Sequence, residues 1–297
     1  MQRTNLAIFA NFFIDNEERF MRLKDSFYSF KNSNPDQWVI NIRGRFKSLA
    51  GDFLKKELGN NLELSFLQSK NGWQYDSLKI SDKINCLYIF FWIEDHIFLK
   101  DPKILNSCIK EMHALNVDQL WYSWFKKDTR SMFSIIEPET IEKHITVTKL
   151  DLESIIKIKK NLKRNFYLIS CPSIMSKNFF IKVLSSKKPF LKRWPRHLPF
   201  DFEKKSNDFV APIIRHALPN QELFAAIDDD HGEPGYSLIS RGLYPNRVSR
   251  EEIKSMEFGS KTHLKEKLIK LIPKKIKPIF ATPKNLLNRI LYTLNIL

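Results

Sequence analysis

Glu94, Asp95 and His96 are three adjacent side chains able to hold a cation, and they follow directly on seven apolar residues, 87–93. An unbroken apolar run closed by polar residues is the pattern of a strand buried on both faces. In open α/β sheets, ligands bind beyond the carboxyl ends of the strands. The segment therefore reads as a buried strand delivering acids to a crevice. Two neighbouring carboxylates repel each other and are kept ionised most easily by a cation. The competing reading is a pair of solvated loop acids that cap the next helix.

Three further clusters carry chemistry-bearing residues. Asp228-Asp229-Asp230-His231-Gly232 is dense in acids and can add a cation ligand or form a solvated turn. Asp201 and Glu203 can be an acid pair at a helix N-terminus, favoured there by the macrodipole. The stretch 187–197 is basic and aromatic and includes Trp194 and Arg196. It suits an anionic or sugar-bearing ligand, or it is an ordinary surface loop.

The elements that must position these residues follow from periodicity. Apolar runs at 5–14, 38–42, 62–67, 87–93 and 117–125 predict strands. Between them, Phe20, Leu23, Phe27 and Phe30 recur at helical spacing, as do Phe46, Leu49, Phe53, Leu54 and Leu58. Asp15 and Glu18 form a capping-box pattern for the first helix, and Gly59 ends the second. A third helix is predicted over 73–81 after Asn71-Gly72, and a fourth opens at Pro102 and runs to Met112. Strand and helix alternating with short connections predict an α/β domain, a doubly wound and mostly parallel sheet layered with helices. Beyond residue 126 the pattern loosens. Strands are expected at 144–150, 165–171 and 223–227, a helix from Asp151 to 162, another over 175–185, and helical character from 207 to 216.

Composition bounds the rest. With 297 residues, 43% hydrophobic and 24 Phe, the chain has material for a large core, which excludes a disordered protein. Three cysteines, Cys86, Cys108 and Cys171, lie far apart and build neither a disulfide framework nor a zinc spacing, which favours a reducing compartment. The apolar stretch 6–14 is interrupted by Asn11 and has no small-residue cleavage site, so it is not read as a signal peptide. No run reaches the roughly 20 apolar residues of a membrane span. The formal charge is +16, and residues 261–297 carry half of that excess, with nine Lys or Arg against one acid. Leu264, Leu268, Leu271 and Ile272 recur at helical spacing among Lys267, Lys270, Lys274 and Lys275. A basic amphipathic helical tail of this kind lies on an anionic membrane surface.

The order of elements, and the run from Trp92 through Glu94, Asp95 and His96 to Asp101-Pro102, resemble the nucleotide-sugar glycosyltransferases of the GT-A fold, family 2-like. In that family the fourth strand ends in a D-x-D or E-D-D type motif. The resemblance covers residues 5–125 and, more loosely, 165–232. It implies a GT-A-like sheet with 1–125 as the nucleotide-sugar half, 126–260 as the acceptor half and 261–297 as the tail. It implies a donor site at Asn11, Phe12 and Gly72. A Mn²⁺ or Mg²⁺ ion would sit at Asp95, then Glu94 and His96, with His231 as a late ligand. The acceptor side would hold the base of an inverting reaction, Glu203 and then Asp201, with Trp194 and Arg196 binding a glycan or lipid-linked acceptor. Surface-polysaccharide synthesis at the cytoplasmic face of the membrane is the implied setting. One departure stands out: His96 occupies the place of the family's last acid, and histidine is a poor Mg²⁺ ligand.

Two other classes stay open. The charge permits a nucleic-acid-binding protein, or a metal-dependent nuclease using Asp228 to His231, although no nucleic-acid-binding signature is present. His96 also permits a non-catalytic relative of the GT-A enzymes.

Overall fold

The structure is a computed structural model, and it describes residues 5–69, 71–121, 135–162, 173–185, 213–229, 236–248 and 252. The chain forms two compact units, Met1–Arg247 and Val248–Leu297. All the described strands and helices named below lie in the first.

The first half alternates as its periodicity requires. β1 (Leu6–Phe13), α1 (Glu17–Phe30), β2 (Gln37–Arg43), α2 (Lys47–Leu58), β3 (Leu62–Ser65), α3 (Trp73–Ser81) and β4 (Tyr88–Phe91) follow in turn. A three-residue strand β5 (His96–Phe98), then α4 (Ile104–Ala114) and β6 (Gln119–Trp121), complete it. β7 (Thr140–Ile141), β8 (Ile145–Leu150), α5 (Leu152–Leu162), β9 (Ser173–Ser176), α6 (Lys177–Leu184), β10 (Ile214–Pro219) and β11 (Phe224–Ala226) follow.

Among the described residues, nine strands form one sheet in the order β3-β2-β1-β4-β9-β6-β10-β8-β7. Only β9 and β8 run against the rest, so the sheet is mixed and mostly parallel. β5 and β11 pair antiparallel as a separate ribbon.

Alternate residues of β1 explain why the strand is apolar throughout. Leu6, Ile8, Ala10 and Phe12 join one core with Leu23 and Phe27 of α1, Leu54 of α2 and Met112 of α4. Ala7 and Phe9 join the other, with Ile80 of α3, Ile158 of α5 and Phe180 of α6. Both faces are covered, which is what near-continuous hydrophobic strands require. Rings dominate the first core: Trp92 meets Phe12 edge-on at 4.7 Å and Phe30 at 5.2 Å. Each such side chain contributes roughly 1.5–3 kcal/mol by burial.

Several sequence expectations are corrected in detail. The fourth strand stops at Phe91, and Leu87 is half exposed at its start. Asn16, not Asp15, caps α1 by accepting the Arg19 N–H, while Asp15 accepts from Arg45. Residues 173–176 are a strand, and helix α6 begins only at Lys177, capped by Ser176. Their backbone is claimed by sheet neighbours on both sides, because β9 sits between β4 and β6. Residues 214–216 are in β10 rather than a helix, with β6 and β8 on either side. The strand expected at 165–171 lies outside the described residues, as do Cys171 and the tail. Cys86 and Cys108 are buried. Among the described residues, no helix is long and apolar enough to cross a membrane.

Candidate functional site

The strand order turns at β1: β2 and β3 lie on one side of it and β4 on the other. A crevice beyond the carboxyl ends of β1 and β4 is where such a switch places a ligand. β1 delivers Asn11 and Phe13 to that edge, and the chain leaving β4 delivers Glu94 and Asp95. Gly44, just past β2, closes the same edge. Its φ is +96°, and a Cβ there would stand 2.4 Å from the Ile14 carbonyl oxygen.

Arg19, in the first turn of α1, reaches across the crevice. Its Nη1 donates to the Phe13 carbonyl at 3.4 Å and to Glu94 Oε1 at 2.7 Å. Glu94 is thereby neutralised and only 12% exposed. Asp95 keeps 38% of its side chain exposed, against 12% for Glu94 and 11% for Asp228.

The ribbon brings Asp228, the first residue of the second acid cluster, to the strand-end acids. β11 runs antiparallel to β5 with Ala226 opposite His96, and the Ile227 N–H donates to the Asp95 carbonyl at 2.8 Å. Asp228 thus lies beside the strand-end acids. Arg22 holds it there: Nη1 donates to Asp228 Oδ2 at 2.8 Å while Nε donates to Glu18 Oε1 at 2.9 Å. Burial works against the Arg22 charge, but Asp228 and Glu18 outweigh it and raise its pKa. Arg247 donates from Nε to Glu18 Oε2 at 3.0 Å and from Nη2 to Asp25 at 3.1 Å. Tyr244 donates to Asp25 and accepts from Arg247. Burial, and then the bond to Asp25, push the Tyr244 phenol well above its ordinary range. This web fixes Tyr244 and Arg247 against α1.

A second polar node lies under the β1 and β2 ends. The Asn11 amide donates to Ser77 Oγ at 2.7 Å and to the Trp73 carbonyl at 3.3 Å. Its Oδ1 accepts from Asn41 and from Arg43 Nε, both at 2.9 Å. Both donors and both lone pairs are used, so the amide has no capacity left for a ligand. Trp73 Nε1 closes the loop on the Asn11 carbonyl at 3.1 Å. Burial lowers the Arg43 pKa to about 10, against Asp76 and Glu94, whose charges raise it. Asp76 is buried and accepts the Ser69 N–H at 3.0 Å. Gly72 begins α3 with φ of +92°, a left-handed value that suits glycine.

Of the sequence-predicted residues, Asp95 and Glu94 stand together at the crevice. His96 is buried with its Nδ1 turned to Asp95 Oδ1 at 2.7 Å. Phe12 is committed to the core against Trp92, and Asn11 to the polar node. Gly72 is buried at the start of α3. Glu203, Asp201, Trp194, Arg196, His231, Lys267, Lys270, Lys274 and Lys275 lie outside the described residues. Sequence reasoning missed Arg19, Arg22 and Arg43, because arginine ordinarily reads as surface. The Glu18-to-Arg22 spacing of four residues was the available signal for one of them.

Among the described residues, no group of three or more His, Cys, Asp or Glu is placed to hold a metal ion. The donor set is one carboxylate that keeps 38% of its side chain exposed, beside the more buried Glu94 and Asp228. That fits a Mg²⁺ or Mn²⁺ ion arriving with the phosphates of its ligand, the usual Mg²⁺ mode, and not an all-protein cage.

No protein-family model and no curated protein matches the chain. Among solved structures it is similar to the crystal structure of S. aureus TarS 1-349, with TM-score 0.46 and 12% identity over 74% of this chain and 60% of that one. The crystal structure of S. aureus TarS gives 0.46 and 12%, over 74% and 36%. TarS 1-349 in complex with UDP-GlcNAc gives 0.47 and 13%, over 74% and 58%. The chain spans less than two thirds of each.

Proposed function

We propose that the chain is a glycosyltransferase that takes its sugar from a nucleotide-sugar donor. The observation that carries this reading is the placement of Asp95 at the β1/β4 switch point, with Asp228 beside it and Arg19 and Arg22 pairing the flanking acids. A partly exposed carboxylate beside acids paired by arginine suits a diphosphate that brings its own cation. When bound, a Mg²⁺ or Mn²⁺ ion would offset the charge of the diphosphate and of the leaving nucleotide.

The residues of the chain divide the remaining work. Asp95 holds the cation side of the donor. Arg19 keeps Glu94 from repelling the diphosphate, since an ion pair presents less net charge than a bare carboxylate. The Asn11 node fixes the start of α3, so the wall of the crevice is set before a ligand arrives. On the acceptor side, Glu203 or Asp201 takes the proton from the attacking hydroxyl, as an inverting transfer requires. Trp194 and Arg196 meet a glycan or lipid-linked acceptor. The lysine-rich tail, with Lys267, Lys270, Lys274 and Lys275, rests on an anionic membrane.

The test incubates the full chain with a panel of nucleotide sugars, UDP-GlcNAc among them, and measures release of the nucleoside diphosphate with Mn²⁺ and with EDTA. The reading expects cation-dependent release from at least one donor, lost in Asp95→Ala. Release from no donor, or release untouched by Asp95→Ala, contradicts it.

A further inference from the structure

We infer that His96 is a positioning residue for Asp95 and not a metal ligand; this rests on the reading of Asp95 as the donor-side carboxylate. The backbone settles where the ring goes. β5 alternates, so His96 and Phe98 share its buried face while Ile97 is only partly covered. Two serines of α1 pin that ribbon. The Ser26 hydroxyl donates to the His96 carbonyl at 2.5 Å and accepts from Trp92 Nε1 at 2.9 Å, and the Phe98 N–H donates to Ser29 Oγ at 2.9 Å. The carbonyl of Asp95 itself is held by the Ile227 N–H at 2.8 Å.

With the backbone fixed at 95 and 96, the ring has one polar engagement. Nδ1 stands 2.7 Å from Asp95 Oδ1, and a carboxylate can only accept, so Nδ1 carries the hydrogen. Nε2 is buried and meets no partner among the described residues. That nitrogen is closed off from solvent, so the ring position not engaged by Asp95 is out of reach of a cation arriving with a ligand. The side chain that departs from the strand-end acid pattern therefore acts through its neighbour. It steers one oxygen of Asp95 and fixes the rotamer of the open carboxylate. Outer hydrogen bonds of this type typically govern metal affinity by about 10–100-fold.

The test titrates the full chain calorimetrically with UDP, GDP, ADP, CDP and dTDP, each with and without Mn²⁺, and follows the one that binds. His96→Leu is expected to weaken the Mn²⁺-dependent binding by about 10–100-fold. His96→Asn places an amide N–H near the Nδ1 position and is expected to recover most of the loss. Melting temperatures of both are recorded beside wild type. A long-range ¹H–¹⁵N spectrum of the wild-type chain gives a readout independent of any variant. It is expected to show His96 protonated at Nδ1, with Nε2 unmoved when Mg²⁺ and the nucleotide are added. If His96→Leu binds like wild type while Asp95→Ala does not, or if Nε2 shifts on adding Mg²⁺, the positioning role is overturned and the site stands. If no diphosphate binds wild type, or Asp95→Ala binds unchanged, the functional reading itself fails.

Discussion

Two polar nodes sit side by side at the carboxyl edge of the sheet, and they are built on opposite principles. Around Asn11, every hydrogen-bonding position of the amide is used by Asn41, Arg43, Trp73 and Ser77. Around Asp95, the flanking acids are paired by Arg19 and Arg22, yet Asp95 keeps more than a third of its side chain open. A closed network rigidifies, because an unpaired buried group is costly. A half-open carboxylate contributes little to the fold and is available to a ligand. The difference separates scaffold from site within one crevice.

The largest effect should come from the pair that ties α1 to the ribbon. Arg22→Ala leaves Glu18 and Asp228 in a buried setting without their shared cation and is expected to cost about 3–5 kcal/mol, read by urea unfolding. A loss below 1 kcal/mol would remove the clasp from the account. Asn11→Ala strips partners from Asn41, Arg43 and Ser77 and should cost about 2–3 kcal/mol in the same assay. If it proved neutral, the closed node would be no scaffold.

Acid should unsettle the scaffold away from the site. Burial holds the His216 imidazole at about 3, against 6.5 when free. As pH falls below 6.5 the unfolded chain takes up a proton that the folded chain refuses until about pH 3. Stability is therefore full above that window and falls through it by about 1.4 kcal/mol per pH unit. Melting curves between pH 7 and 4 should show this slope, and His216→Leu should flatten it. The smallest effect on stability belongs to the site: Asp95→Ala should shift unfolding by about 1 kcal/mol or less, since its carboxylate is partly solvated.

The sheet's first half was legible because its signals are local. The apolar runs of β1, β2 and β4, the Phe20-to-Phe30 stripe, Gly59 and Pro102 each mark an element without reference to the rest of the chain. β9 was not, because four residues ending in Ser176 carry no period of their own. They become a strand only because β4 and β6 offer edges on both sides. The candidate site divides the same way. Glu94 and Asp95 were readable as the end of an apolar run. Their junction with Asp228 was not, because it depends on a pairing between His96 and Ala226 across 130 residues of sequence. Buried Arg43 was invisible for another reason: its cation is held by Asn11 of β1 and by the charges of Asp76 and Glu94, far from it in sequence.

The most direct test of the central claim is calorimetric titration of the wild-type chain and Asp95→Ala with nucleoside diphosphates, in Mn²⁺ and then in EDTA. The account predicts saturable binding to wild type that Mn²⁺ strengthens and that Asp95→Ala weakens at least about 100-fold, a loss of roughly 2.7 kcal/mol, at nearly unchanged stability. Binding of equal strength in both proteins, or in neither, would contradict it.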